Sequence, residues 1–334
     1  MFTPYRQALG LPGALAFSLS GLLARLPISM VSLGIVLLVS TRTGSYGLAG
    51  AVAASYLVAN AASAVVQGRL ADRLGQSRIL PWTILVCSTS LALLMWSVEV
   101  GLSTPVPQLL AVLAGVTLPQ IGSCVRARWA YIAPDKRLLQ TAFAFEAMVD
   151  ETVFMLGPTL VTLLATGVHP LAGLGAAVVA GLTGTLLLAG QRGTEPPAHP
   201  ATHGSGTKTP MGWRVLGPLV GVSVALGVLF GGAEVATVAF SEELQATVAA
   251  GPLLAIWALG SLLSGFVTGT IHWKASNGAR FRWGALALAL SLTPLPFVGS
   301  FAVMGLILFL GGFAISPTLI AAVAWIEETV PASR

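Results

Sequence analysis

Charged residues are scarce in this sequence of 334 residues, of which only 9% are Asp, Glu, Lys or Arg. A soluble globular domain contains about 25% charged residues. Hydrophobic residues make up 55% of the chain, and the mean hydropathy is +0.85. This composition excludes an ordinary soluble domain and indicates a membrane protein.

Cysteine and histidine are also rare, with two Cys and four His in the chain. Cys87 and Cys124 fall within or at the end of apolar stretches, where they predict neither a disulfide framework nor a metal site. His199 and His203 have a metal-like spacing, but Pro200 between them disfavours the helix that would present both to one ion. We expect no metal and no cofactor.

Several catalytic signatures are missing as well. The sequence has no G-x-x-x-x-G-K-[ST] phosphate loop, which argues against a nucleotide-driven pump. It has no HExxH, GxSxG or CxxC arrangement that would mark an intramembrane enzyme, and nothing in it resembles a channel selectivity filter or a ring of charges. We therefore expect a protein that is not an enzyme.

Long apolar stretches are what the sequence has in quantity, each of the length that an α-helix needs to cross a bilayer core of about 30 Å. They are continuously apolar, unlike the alternating segments of a membrane β-barrel. The sequence therefore predicts an all-α integral membrane protein with about ten transmembrane helices, at residues 13–39, 46–67, 79–98, 105–124, 140–166, 170–190, 215–239, 248–271, 283–299 and 302–325.

The positive charges alternate between successive loops. Because cytoplasmic loops keep an excess of Lys and Arg, this predicts an inner-membrane protein with both termini in the cytoplasm, and it explains the net charge of +5 without any nucleic-acid partner. Fifteen of the 17 basic residues are assigned to the cytoplasmic side: Arg6, Arg69, Arg73, Arg78, Arg126, Arg128, Lys136, Arg137, Arg192, Lys208, Arg214, Lys274, Arg280, Arg282 and Arg334.

The longest polar stretch, residues 191–213, is rich in Pro, Gly, Thr and His and has the composition of a flexible linker. It separates six spans from four. We therefore expect an N-terminal six-helix bundle at 1–190, a cytoplasmic linker at 191–213 and a C-terminal bundle of four helices at 214–334.

The loop after the second span reads "GRLADRLGQSR" (68–78). Together with the six-plus-four arrangement, it resembles the signature of the major facilitator superfamily of secondary transporters. The stretches "EAMVDETVFMLGP" (146–158) and "ARLPISM" (24–30) are similar to those of actinobacterial members of that superfamily. The signature is Gly, three residues, Asp-Arg, any residue, Gly and then basic residues. Gln76 departs from it, and the matching residues are Gly68, Asp72, Arg73, Gly75 and, two positions beyond Gln76, Arg78.

The resemblance implies a gating role for this loop. Asp72 would meet the N-terminal end of the eleventh helix of the family, where the helix dipole favours an anion, and Gly68 would allow the helices to approach. The family has twelve helices, and the sequence ends at Arg334, after the tenth. We therefore expect a chain that lacks the last two helices, and a truncated product that does not transport is one alternative.

Five ionisable residues fall inside predicted spans, where an unpaired charge is costly and often functional. Glu146 and Asp150 are four residues apart and share one helical face, whereas Glu151 lies about 100° around the helix from Asp150. Arg25 and Asp150 come out at similar depths near the midplane, so Arg25 can pair with Asp150 or Glu146. The candidates for substrate binding or proton coupling are Arg25, Glu146, Asp150, Glu151 and Glu234.

Three carboxylates in span five against one arginine leave an unpaired acid, which burial would push towards the protonated form. The sequence therefore predicts a proton-coupled secondary carrier for a small molecule, acting as a monomer in the lipid bilayer by alternating access. Gly157-Pro158 resembles part of an antiporter motif and favours export, although Val153, Val161 and Thr162 stand where that motif has glycines. The alternative is a nutrient symporter or a uniporter on the same scaffold.

Overall fold

The protein is all α-helical over the residues that its structure, a computed structural model, describes: 3–198, 213–270 and 275–329. Three short 3-10 turns occur at Arg192–Thr194, Thr247–Ala249 and Leu295–Phe297. The helices are α1 (Thr3–Leu9), α2 (Ala14–Thr43), α3 (Tyr46–Leu74), α4 (Gln76–Glu99), α5 (Pro105–Thr117), α6 (Ile121–Ile132), α7 (Lys136–Gly167), α8 (Ala172–Gly190), α9 (Trp213–Glu243), α10 (Ala250–Thr270), α11 (Asn277–Leu292) and α12 (Phe301–Thr329).

This architecture confirms the predicted fold of about ten transmembrane helices. Over the described ranges, nine helical segments are long and apolar enough to cross a membrane, with α5 and α6 counted as one segment, Pro105–Ile132. Helix α11, which corresponds to the ninth predicted span, has 16 residues. The part of the predicted linker at 199–212, with His199 and His203, and the C-terminal residues 330–334 lie outside the described residues.

Two predicted spans differ from the helices in the structure. The predicted span 105–124 is interrupted at 118–120, because Pro119 has no backbone N–H and holds Leu118 in an extended conformation. The predicted span 283–299 is displaced, because α11 starts at Asn277 and ends at Leu292, before Pro294 and Pro296. In both cases proline ends a helix inside an apolar stretch that hydropathy reads as continuous.

The chain forms two compact units. The first unit comprises Met1–Val153 and Leu160–Ser223, and the second comprises Phe154–Thr159 and Val224–Arg334.

Helix α2 lies at the centre of the first unit and packs most extensively on α8 and α3. Residues 29–40 are buried on every side, as expected for a helix that is surrounded by other helices rather than by lipid. The contact with α8 depends on Gly184, since a Cβ there would overlap the backbone of Ala24. Small residues at helix interfaces allow backbones to approach closely in membranes.

Helix α12 has the corresponding position in the second unit, where it packs on α10 and α11. The hydroxyls of Ser261 on α10 and Ser316 on α12 lie 2.9 Å apart, and Ser316 Oγ also donates to the Ser261 carbonyl at 2.8 Å. A Cβ on Gly312 would overlap the backbone of Trp257. This interface therefore combines close backbone approach with a buried hydrogen bond.

Candidate functional site

The carboxylate of Glu146 lies at the centre of a cluster of polar side chains in the first unit, where it is completely buried. Its Oε2 accepts a hydrogen bond of 2.5 Å from Nη2 of Arg25. Its Oε1 accepts from the indole Nε1 of Trp129 at 2.7 Å and from Oγ of Ser18 at 3.3 Å. Three donors from α2 and α6 thus satisfy one buried anion on α7, as a buried charge requires.

Asp150 lies one helical turn beyond Glu146 and is shared between two arginines. Its Oδ1 accepts from Nη1 of Arg25 at 3.0 Å, and its Oδ2 accepts from Nη2 of Arg126 at 2.6 Å. The side chain of Asp150 is 31% exposed and that of Arg126 is 42% exposed, whereas Arg25 is 4% exposed. The network therefore has a sealed end at Glu146 and an accessible end at Asp150.

Helical periodicity accounts for these positions. Ser18 and Arg25 are seven residues apart on α2, Arg126 and Trp129 are three apart on α6, and the two acids are four apart on α7, so each pair shares one helix face. The ring of Phe17 packs edge-on against Trp129 at a centroid distance of 4.8 Å. This contact orients the indole ring so that its N–H donates to the carboxylate of Glu146.

The structure corrects two statements made from the sequence. Arg126 and Arg128, assigned to the loop after the fourth span, lie on the helix α6, and their place on the cytoplasmic side stays a prediction. The comparison of three acids with one arginine was therefore incomplete, because Arg126 brings a second guanidinium to the cluster. Two arginines face two carboxylates, so the formal charge of the network is balanced when both acids are ionised.

The remaining intramembrane candidates are placed differently. Glu151 follows Asp150 on α7 and is partly exposed, and its side chain takes no part in the hydrogen bonds described above. Glu234 lies on α9 in the second unit and is also partly exposed. The structure thus brings Arg25, Glu146 and Asp150 together and adds Arg126, Trp129 and Ser18 to them. The sequence signal that could have found Arg126 and Trp129 is their three-residue spacing, which places both side chains on one face of the helix that follows Pro119.

The residues of the 68–78 loop lie on the last turns of α3 and the first turn of α4. Asp72, Arg73 and Arg78 are exposed. Over the described residues, Asp72 forms no hydrogen bond or ion pair, and nothing lies within 4 Å of the place that a Cβ on Gly68 would occupy. A pocket of about 310 Å³ beside this loop is lined by Leu74, Gly75, Ser77, Arg78, Arg192, Glu195, Pro196, Pro197 and Ala198.

Gly75 joins α3 to α4 with φ 91°, a left-handed backbone conformation that favours glycine. Immediately beyond it, the backbone N–H of Ser77 donates to Oε1 of Glu195 at 2.9 Å. A Cβ on Gly75 would stand 3.0 Å from the same carboxylate oxygen. Glu195, which lies just after α8, therefore provides the anion at the N-terminal end of α4.

A buried arginine explains why Gln76 departs from the family signature. Nε of Arg128 donates to Oε1 of Gln76 at 2.8 Å, and Nε2 of Gln76 donates to the Cys124 carbonyl at 3.1 Å. Arg128 is completely buried, and its Nη1 donates to the Gln191 carbonyl at 2.6 Å and to Thr194 Oγ1 at 2.8 Å. A basic residue at position 76 would face this guanidinium at close range.

Comparisons with known proteins agree with this architecture. The family model described as Major Facilitator Superfamily matches residues 17–334, and no curated protein sequence matches. A mutant of the peptide transporter POT in complex with sulfate has the same fold, with 14% identity, a TM-score of 0.67 and coverage of 97% of this chain and 83% of POT.

A second solved structure, of a bacterial homologue of the iron transporter ferroportin in the inward-facing state, is 16% identical with a TM-score of 0.56. That match covers 99% of this chain and 85% of the homologue. At these identities the likeness concerns the fold, whereas the family model spans nearly the whole chain. The chain therefore belongs to the major facilitator superfamily of membrane transporters.

Proposed function

We propose that this protein is a proton-coupled secondary carrier that exports a small molecule by alternating access. It would act as a monomer in the inner cell membrane, with both termini in the cytoplasm. The alternation of basic loops supports this orientation, and the polar stretch at 191–213 supports a division into an N-terminal and a C-terminal bundle.

The observation that carries the proposal is the position of Asp150, which is paired with both Arg25 and Arg126 while its side chain remains 31% exposed. A charge within a membrane span is stable only if it is paired or faces water. Protonation of Asp150 would remove the anion from both ion pairs. Arg25 would still be paired with Glu146, whereas Arg126 would lose the ion pair that it has in the structure.

Glu146 is the less suitable proton carrier of the two acids. It is completely buried and accepts hydrogen bonds from three donors, so both of its oxygens are occupied within the protein. Protonation of Glu146 would leave the buried Arg25 with Asp150 alone. Glu146 therefore acts as the fixed counter-ion that holds Arg25 in place while Asp150 gains and loses its proton.

The 68–78 loop would gate the carrier. Asp72 is exposed on the last turn of α3, where it is available for a contact with another helix end in one of the alternating states. The Gly157-Pro158 step within α7 favours export, since it resembles part of an antiporter motif.

Everted membrane vesicles containing the protein provide the test. The vesicle interior is acidified, acridine orange reports the pH gradient, and amino acids, carboxylates, sugars and organic cations are added in turn. A substrate of a proton antiporter restores the fluorescence, and Asp150→Asn abolishes this response although the folded protein remains in the membrane. An unchanged response in Asp150→Asn would overturn the role of Asp150.

The charge balance of the network favours one alternative, a uniporter or a nutrient symporter on the same scaffold. Two guanidiniums and two carboxylates can remain ionised throughout a transport cycle, and such a network needs no proton. Substrate exchange across vesicles without any change in acridine orange fluorescence would identify a uniporter. Substrate uptake in the direction of proton flow would identify a symporter.

A further inference from the structure

We infer that the transported molecule carries an oxyanion, a carboxylate or a phosphate, and that this group takes the place of Asp150 on Arg126. The inference rests on the proton coupling in the proposed function, because it requires Asp150 to be protonated during the cycle, and it favours the symporter alternative over antiport. It names the class of substrate, which neither the family model nor the solved structures supply for this chain.

The two arginines of the network differ in what they can offer to a ligand. Both Nη atoms of Arg25 are bound to carboxylates of the protein, and its side chain is 4% exposed. Arg126 is 42% exposed and donates to Asp150 through Nη2. A guanidinium has five N–H donors, so Arg126 keeps donors for a second acceptor while Arg25 is enclosed by its partners.

The exposed end of the network faces water rather than lipid. Arg126 lies six residues before the end of α6 at Ile132, or about 9 Å at ~1.5 Å per residue. Two residues further along, Arg128 donates to the Gln191 carbonyl and to Thr194, just after α8, so Arg126 lies close to the ends of α6 and α8. A partly exposed guanidinium and carboxylate here require contact with water, because hydrocarbon would not solvate them. A substrate that enters from the water meets Arg126 and Asp150 first.

Charge balance then selects the sign of the substrate. Among the residues that the structure describes, the charged groups around Asp150 are Arg25 from α2, Arg126 from α6, and Glu146 and the neighbouring Glu151 on its own helix. Protonation of Asp150 leaves the guanidinium of Arg126 without its counter-ion. An oxyanion restores the pair with charge-assisted and, where the geometry permits, bidentate hydrogen bonds. A cationic substrate would be repelled, and a neutral one would leave the charge unbalanced.

The replacement of Asp150 by the substrate on Arg126 also couples the binding of the substrate to the binding of the proton. When Asp150 is ionised, its carboxylate occupies Nη2 of Arg126 and competes with the substrate. When Asp150 is protonated, Arg126 is free to bind the substrate oxyanion. Proton and anion therefore bind together, and each raises the affinity of the site for the other, as linkage requires. Such binding is that of a proton–anion symporter, the alternative given under the proposed function, and not that of a proton antiporter.

Binding to the purified full-length protein in detergent tests the inference without any gradient. Thermal unfolding is followed by tryptophan fluorescence at pH 5 and pH 8, with succinate, benzoate or inorganic phosphate as the anionic probe. Choline and putrescine serve as cationic probes at matched ionic strength. We expect anions to raise the unfolding temperature, and to do so more strongly at pH 5. Comparing the carboxylates with phosphate identifies the oxyanion.

Three variants locate the effect. Arg126→Gln should lower the affinity for the anion by about tenfold or more, as the loss of a charged hydrogen bond predicts, and Arg126→Lys should restore part of it. Asp150→Asn should bind equally at both pH values, because the competing carboxylate is gone. Arg42→Gln is the matched control, since Arg42 forms an exposed ion pair with Glu99 away from this cluster, and it should respond like the wild type.

An equal response to anions in the wild type and in Arg126→Gln would overturn the inference, as would stabilisation by cations alone or no response to any anion. Each failure is distinguishable from failure of the proposed function. Binding that depends on Arg126 in a protein that moves no protons in vesicles would overturn proton coupling alone. Proton movement without binding that depends on Arg126 would overturn the oxyanion substrate alone.

Discussion

The carboxylate of Glu195 accepts a hydrogen bond from the backbone N–H of Ser77, so a residue that follows α8 caps the first turn of α4. The N-terminal end of a helix carries a partial positive charge. This contact stabilises the 68–78 loop from within the first unit. Asp72, for which the family resemblance implies a contact with the N-terminal end of the eleventh helix, is exposed.

Replacing Glu195 with Gln should loosen the start of α4, because the neutral amide interacts less strongly with the helix dipole. We expect a loss of about 0.3–1 kcal/mol in unfolding free energy and faster hydrogen exchange at the backbone amides of residues 76–79. Glu243→Gln, at the exposed end of α9, is the control. Unchanged exchange in Glu195→Gln would contradict the capping role.

Gly75→Ala should destabilise the same junction by about 1–2 kcal/mol, since a residue with a Cβ is strained at the left-handed φ of Gly75. The new methyl group would also press on Glu195 Oε1. Gly50→Ala is the matched control, because Gly50 lies within α3 with open space around it among the described residues. In thermal unfolding the control should be neutral or stabilised.

Gln76→Lys should be strongly destabilising, because it brings a second cation to the buried guanidinium of Arg128. Removing that guanidinium with Arg128→Met should make the lysine better tolerated. In a double-mutant cycle of unfolding free energies, we expect a coupling of about 0.5–3 kcal/mol between the two positions. Strictly additive losses would show that Gln76 and Arg128 do not interact.

The two acids of the ion network should respond differently to neutralisation. Glu146→Gln leaves Arg25 without its fully buried counter-ion, and breaking a buried ion pair costs about 3–5 kcal/mol. Asp150→Asn should cost far less, since its side chain is about one-third exposed and solvent screens its charge. The yield and thermal stability of the detergent-solubilised variants report the difference. Equal losses would contradict the division into a fixed and an exchangeable acid.

Gly184→Ala should separate α8 from α2, because the new methyl group would overlap the backbone of Ala24. Overpacking of this kind costs about 1–3 kcal/mol. Gly175→Ala, on the same helix but with nothing within 4 Å of the added carbon among the described residues, should be tolerated. Equal unfolding temperatures for the two variants would show that α8 can shift away from α2 without any loss of stability.

Most of the fold was predictable because a membrane restricts what a chain can do. Ten apolar stretches imply ten helices, since a helix satisfies all of its backbone groups within lipid. The face shared by Glu146 and Asp150 followed from the helical period alone. Proline was the main source of error in the boundaries, because hydropathy does not register the break at Pro119 or the end of α11 before Pro294.

The sequence by itself determined which residues lie in helices and which acids share a face, because local hydrogen bonding and periodicity control both. Only the tertiary structure decided which charges meet. Arg25 is 125 positions from Asp150, and Arg126 joins them because α6 restarts after Pro119 and turns its side chain towards α7. The contact of Glu195 with α4 spans 118 positions. Pairing over such separations depends on how the helices pack, which no local pattern specifies.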